Sequence, residues 1–206
     1  MVDFIHKFIP SNTGDNQITL VLLHGTGGNE EDLIPLGQFL APDAALLGIR
    51  GKVLEGTAPR FFRRLAEGVF DEQDLIFRTH ELARFLEQAT KEYSLNPSRL
   101  VAIGYSNGAN IAAGLLLLEP SILSAAVLFR AMVPLEPEKL PKLHGKQVLM
   151  QSGRHDAIVP PHHSERLAEL LKQAGADVTL NWQNTGHGLT NPELAMAKAW
   201  MKKLAL

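Results

Sequence analysis

The chain of 206 residues contains no cysteine. Disulfides, thiolate metal sites and a cysteine nucleophile are therefore excluded. Neither sign of charge dominates: 20 Lys and Arg stand against 22 Asp and Glu, for a net charge of −2 and a pI near 6.4. A chain so balanced carries no electrostatic footprint for nucleic acid. Long hydrophobic runs are missing as well. The most apolar window, "IAAGLLLL", falls far short of the roughly 18 residues that cross a bilayer. The first residues, "MVDFIHKFIP", are too polar and broken for a signal-peptide core. Neither a membrane nor a nucleic acid is expected as a partner, and a cytoplasmic location follows by default. There is no internal repeat, no low-complexity tract and no linker longer than a loop.

What remains, with 45% hydrophobic and 20% charged residues, has the composition of a globular protein. A single domain over residues 1–206 is expected, long enough to bury roughly 70% of its unfolded surface. "ITLVLLHG" (18–25) is a near-continuous apolar run of strand length, the pattern of a strand covered on both faces. "AALLGIR" (44–50), "RLVAIGY" (99–105), "SAAVLFR" (124–130), "QVLMQSG" (147–153) and "DVTLNWQ" (177–183) read as further strands. Between them lie helical patterns over 30–41, 71–93, 107–118 and 164–176. A last helix is expected to be capped by Asn191, with Pro192 in its first turn. Strands alternating with helices predict a mostly parallel α/β sheet flanked by helices.

In such a sheet, sites gather in loops beyond the carboxyl ends of the strands. The strand 99–105 runs into Gly104-Tyr105-Ser106-Asn107-Gly108, a G-x-S-x-G pattern that can thrust a hydroxyl into a cleft. Alone the motif is only a hypothesis, since a glycine-rich turn has the same letters. Two further strand ends decide it. "VLMQSG" is followed by Asp156, and "VTLNWQNTG" by His187. Serine, acid and histidine, in that order on three strand ends, form the expected nucleophile, orienting acid and general base. Asp177 lies in the same interval but opens a strand instead of following one. Backbone donors for an oxyanion are expected from Asn107, at the start of the helix after the serine, and from Thr26 in the "HGTGG" loop. His24 is expected to order that loop. His155, His162 and His163 crowd around Asp156, but no pair has i, i+4 spacing beside a base, and Pro160-Pro161 interrupts them. No metal and no cofactor are expected.

The segments "LLHGTGGNEEDLIPL", "RFFRRLAEGVFDEQDL", "AIGYSNGANIAAGLL", "MVPL", "GRHDAIVPP" and "TGHGLT" together resemble the small bacterial carboxylesterases of the phospholipase/carboxylesterase family. The likeness is closest to the hydrolases associated with methylhydroquinone and quinone stress. It runs nearly end to end. It implies an α/β-hydrolase fold, cofactor-free ester hydrolysis, a Ser106–Asp156–His187 triad with oxyanion donors Thr26 and Asn107, and a homodimer as a possible assembly. "HGTGG" and "GYSNG" depart from the "HGLGD"-like and "GFSQG" segments of the more distant acyl-protein thioesterases. The short interval between the strands at 124–130 and 147–153 leaves no room for a cap domain. Residues 51–70 are then expected either to form a lid, with Phe61 and Phe62 walling a pocket opposite Met132, or to pack on the sheet edge with Arg63 and Arg64 paired to Glu67 and Asp71. The expected substrate is a small-molecule ester with a small or medium acyl chain. Two alternatives stand beside it: a thioesterase or lysophospholipase using the same triad, and a non-catalytic ligand-binding protein, which would be expected to lose a triad residue.

Overall fold

The computed structural model describes residues 3–12 and 18–204. Its centre is a seven-stranded sheet formed by β1 (His6–Ile9), β2 (Thr19–Leu23), β3 (Ala45–Ile49), β8 (Leu100–Tyr105), β9 (Ala125–Phe129), β10 (Gln147–Gly153) and β11 (Asp177–Gln183). The spatial order is β1-β3-β2-β8-β9-β10-β11, parallel throughout except for the edge strand β1, which runs antiparallel to β3. Five helices flank the sheet: α1 (Ile34–Leu40), α2 (Glu72–Glu92), α3 (Asn107–Leu118), α4 (Pro161–Gln173) and α5 (Asn191–Met201).

The continuous apolar runs follow from burial on both faces. In β2, Val21 and Leu23 point to the core formed with α2, α3 and α4, while Leu20 and Leu22 point to the core formed with α1 and α5. Alternation within one strand thus serves two cores, so no polar face is left. The helix α2 is set at its start by Asp71, whose carboxylate accepts from Asp74 N–H, with acidic Glu72 and Asp74 in its first turn and Lys91 in its last. Residues 131–146, between β9 and β10, contain neither helix nor strand, so no cap covers the carboxyl ends of the sheet.

Three helix starts differ from the sequence expectation. The helix α1 begins at Ile34, four residues after the expected position 30, because residues 30–33 form turns instead. The helix α4 begins at Pro161, since a proline needs no donor in the first turn. The helix α5 is capped by Thr190, one residue before Asn191, and the Glu193 carboxylate accepts from Thr190 N–H. The segment 51–70 folds as two small hairpins, β4 (Val53–Glu55) with β5 (Ala58–Arg60), and β6 (Arg64–Ala66) with β7 (Val69–Phe70). Arg63 does pair with Asp71, but Arg64 turns to Glu55 at 2.6 Å instead of to Glu67.

Candidate active site

At the end of β8 the chain turns at Ser106 with φ 53° and ψ −115°, a conformation that side-chain-bearing residues rarely hold. Ser106 N–H donates to Phe129 O at 2.8 Å, and its carbonyl accepts from Asn110 N–H at 3.0 Å as α3 begins. Both flanking glycines are required by this close turn. A Cβ on Gly104 would lie 2.6 Å from Ala109 Cα, and one on Gly108 would lie 1.9 Å from Leu23 O. The motif is a packing solution that leaves the serine side chain proud of the strand.

His187, in the loop between β11 and α5, places Nε2 3.0 Å from Ser106 Oγ and Nδ1 2.8 Å from Asp156 Oδ2. Asp156 is buried in the loop after β10, where its other oxygen accepts from Ile158 and Val159 N–H at 2.8 and 3.0 Å. An ionised carboxylate only accepts, so Nδ1 carries the ring proton and Nε2 is left free to accept from the serine hydroxyl. The Tyr105 hydroxyl donates to His187 O at 3.1 Å, and burial pushes that phenol's pKa up.

Thr26 and Asn107 line a cleft at Ser106. Asn107 N–H belongs to the first turn of α3, where no carbonyl of the helix can reach it. Among the described residues no backbone carbonyl accepts from it or from Thr26 N–H. Both residues are tied to the hairpin segment: Arg60 Nη1 donates to Thr26 Oγ1 at 2.8 Å, and Phe61 N–H donates to Asn107 Oδ1 at 2.7 Å.

Two clefts open at Ser106. The inner one, about 40 Å³, is lined by Arg60, Phe70, Asn110, Met132 and Val159 together with Thr26, Ser106 and Asn107. The outer one, about 330 Å³, is lined by His187, Tyr105 and Glu67 and shares Thr26, Arg64, Ser106 and Ile158 with the inner one. Of the three residues expected to wall a pocket, Met132 lines the inner cleft and the two phenylalanines do not. Phe61 turns onto the His24 ring at 4.9 Å and Phe62 meets Phe70 edge-on at 5.1 Å, both within the core. The two residues lie on a bend between the hairpins, and core burial claimed both rings. Phe70, at the end of the second hairpin, is the aromatic wall. A larger groove of about 630 Å³ lies at the opposite end of β8, around Leu86, Thr90, Leu100 and Ile122, far from Ser106.

His24 is buried behind the Thr26 loop. Its Nδ1–H donates to Gly25 O at 2.6 Å, and its Nε2 accepts from Gly51 N–H at 3.0 Å, which only the neutral ring can do. Burial pulls its pKa below the ordinary 6.5. The unfolded chain then takes up a proton first as pH falls, so this contribution to stability is complete above about pH 6.5 and is lost as pH drops toward the folded value. His163 shifts in the same direction, so the comparison must isolate His24. His24→Gln retains an acceptor for Gly51 and should lose less melting temperature than wild type between pH 7 and pH 5. Parallel melting curves for the two proteins would remove His24 from the account.

The sequence reading overlooked Arg130 and Glu193, both fully buried and joined at 2.7 and 2.9 Å. The signals were present as a lone charge closing the apolar run "AAVLFR" and as the Thr-x-x-Glu spacing of a helix start, Thr190 to Glu193. The neighbouring histidines go elsewhere: His155 reaches Asn184 at 2.7 Å, and the His162 and His163 rings lie 4.5 Å apart. Among the described residues no group of three His, Asp or Glu side chains is gathered for a metal, and no helix is long and apolar enough to cross a membrane.

The geometry has close parallels. Residues 62–205 match the model of the dienelactone hydrolase family. The chain is 48% identical to the putative hydrolase MhqD of Bacillus subtilis over 191 residues, 93% of this chain and 94% of that one. Among solved structures, the Bacillus cereus carboxylesterase superposes with a TM-score of 0.95 at 50% identity, covering 98% and 95% of the two chains. A carboxylesterase from Mesorhizobium loti gives 0.89 at 31% identity, covering 97% and 94%. The expected likeness to small bacterial carboxylesterases of α/β-hydrolase fold holds.

Proposed function

The chain belongs to the dienelactone hydrolase family and is a carboxylesterase on the α/β-hydrolase fold, and from that premise we propose that it cleaves small-molecule esters of short acyl chains through a Ser106–His187–Asp156 triad and an acyl-enzyme. The observation that carries this reading is the hydrogen-bonded chain from Ser106 Oγ to His187 Nε2 and from Nδ1 to Asp156, at 3.0 and 2.8 Å.

Ser106 Oγ attacks the ester carbonyl as its proton passes to His187 Nε2, while Asp156 holds the ring through Nδ1–H. Charge collects on the former carbonyl oxygen, which Thr26 and Asn107 N–H stabilise. The tetrahedral centre collapses, His187 returns its proton to the departing alcohol oxygen, and the acyl group stays on Ser106. Water then repeats the sequence against the acyl-enzyme and frees the acid. The leaving oxygen must lie near Nε2, so the alcohol portion takes the outer cleft and the acyl chain the inner one.

That assignment supports a small acyl group. A cleft of about 40 Å³ holds only a short chain. This volume favours an esterase over a lysophospholipase or a long-chain thioesterase. Labelling by a fluorophosphonate tests the reading: modification at Ser106, abolished by mild heat unfolding, is the expected result, and an unlabelled native protein would overturn it.

The inner walls should control selectivity. Phe70→Ala and Met132→Ala are expected to shift the kcat/KM ratio of a hexanoate to an acetate ester by ~10- to 200-fold toward the longer chain. Phe61→Ala should leave that ratio alone, because its ring faces His24. A shift in Phe61→Ala alone would reverse the placement of the pocket.

A further inference from the structure

Arg130 follows the last residue of β9 and is fully withdrawn from solvent. All five N–H bonds of its guanidinium have acceptors. Nε donates to Gly186 O at 3.0 Å, and Nη1 to Gln151 O at 3.1 Å and Glu193 Oε2 at 2.7 Å. Nη2 donates to Gly188 O at 2.5 Å and to Glu193 Oε1 at 2.9 Å. The two glycine carbonyls flank His187. Nε also lies 4.0 Å from Asp156 Oδ2, so one cation faces the carriers of both the base and the acid. Its backbone has φ 58°, a left-handed conformation that persists only where the surroundings dictate it.

We propose that Arg130 is the positioning residue of the histidine loop, with Glu193 orienting its fork; the inference rests on His187 being the general base. The loop from Asn184 to Thr190 contains two glycines, Gly186 and Gly188, on either side of the imidazole. Such a backbone has many conformations of similar energy and does not fix the ring by itself. Gripping both flanking carbonyls with one planar group removes that freedom. Glu193 closes the far side of the loop by accepting from Thr190 N–H. Tyr105 adds a single bond to the carbonyl of His187 itself. A lysine has one nitrogen where the guanidinium has three and cannot span the two carbonyls and the carboxylate together.

A buried ion pair is not by itself a strong source of stability, and exchanging both members for apolar residues is often neutral or stabilising. This separates a positioning role from a structural one. Arg130→Lys, which keeps the charge, is expected to lower kcat by about 10²-fold, the scale of an ångström-sized misplacement, with KM changed by no more than a few fold. Activity is counted per Ser106 that labels with a fluorophosphonate at saturation, so unfolded protein does not enter. Arg130→Met should melt well below wild type. Arg130→Met with Glu193→Leu removes the uncompensated carboxylate but not the loss of guanidinium donors to the Gly186, Gly188 and Gln151 carbonyls, so it should regain part of that melting temperature without regaining kcat. Recovery of kcat together with melting temperature, or a wild-type kcat in Arg130→Lys, overturns the proposal. Should Arg130→Lys fail to fold, the double variant decides alone. Failure of the underlying reading looks different, for then the wild-type serine itself does not label and Arg130 has no base to position.

Discussion

Ester turnover by Ser106→Ala is expected to fall by about 10⁴- to 10⁶-fold, the range seen when a covalent route is removed and only the oxyanion donors and binding remain. The melting temperature should barely move. The hydroxyl makes its hydrogen bond to His187, a ring still 21% exposed, and alanine accepts the φ of 53° no less readily than serine does. Ser106→Gly sharpens the test. It removes the same hydroxyl and also relieves a backbone strain that costs a residue with a side chain about 1–3 kcal/mol, so it should be equally inactive and melt above the alanine variant. A serine variant retaining a tenth of wild-type turnover would falsify the assignment of the nucleophile. Identical melting of the alanine and glycine variants would contradict the strain.

Asp156→Asn is expected to lower turnover by about 10⁴-fold, and the direction can be derived from its three hydrogen-bond partners. One carboxylate oxygen accepts from the N–H groups of Ile158 and Val159, and the other from His187 Nδ1–H. In asparagine the carbonyl oxygen must remain on the two amides, since an NH2 group there would meet two donors. The NH2 group then faces His187 and forces Nδ1 to become the acceptor. The ring proton moves to Nε2, where it blocks proton transfer from Ser106. Asp177→Asn is the control. That residue is exposed at the start of β11, paired in register with Gln147 at the far end of the sheet, and turnover should stay within a few fold. Steady-state kinetics on both variants decide between the two acids.

The strands β2, β3, β8 and β9 were legible because each is buried on both faces and writes a continuous apolar run, and β10 is buried along all but its first residue; β11, an edge strand, showed itself by alternation in "DVTLNWQ" instead. The strand ends were legible with them, which brought Ser106, Asp156 and His187 into view as residues following strands. The edge strand His6–Ile9 left no such trace: half of its surface is open and only four residues pair. The hairpins over 53–70 are two- and three-residue ladders, too short for any period to register. Phe61 and Phe62 show the limit most plainly. Their hydrophobicity declares burial but not in what, and the backbone turn that faces one to His24 and the other to Phe70 is fixed by contacts far away in sequence. Arg130 was hidden by the rule that charges lie outside. Only its partner 63 positions later makes its burial tolerable.

The separation of those partners has a consequence for a chain still being made. Domains order as they emerge from the ribosome, and β2, β8 and the serine turn have all appeared while the acid, the base and α5 have not. Until residue 193 is out, Arg130 lacks the carboxylate that takes two of its N–H groups. A nascent or prematurely terminated chain thus presents Ser106 with no activating partner and cannot turn over esters around it. On that reading hydrolytic competence arrives late, with the emergence of His187 and the docking of α5.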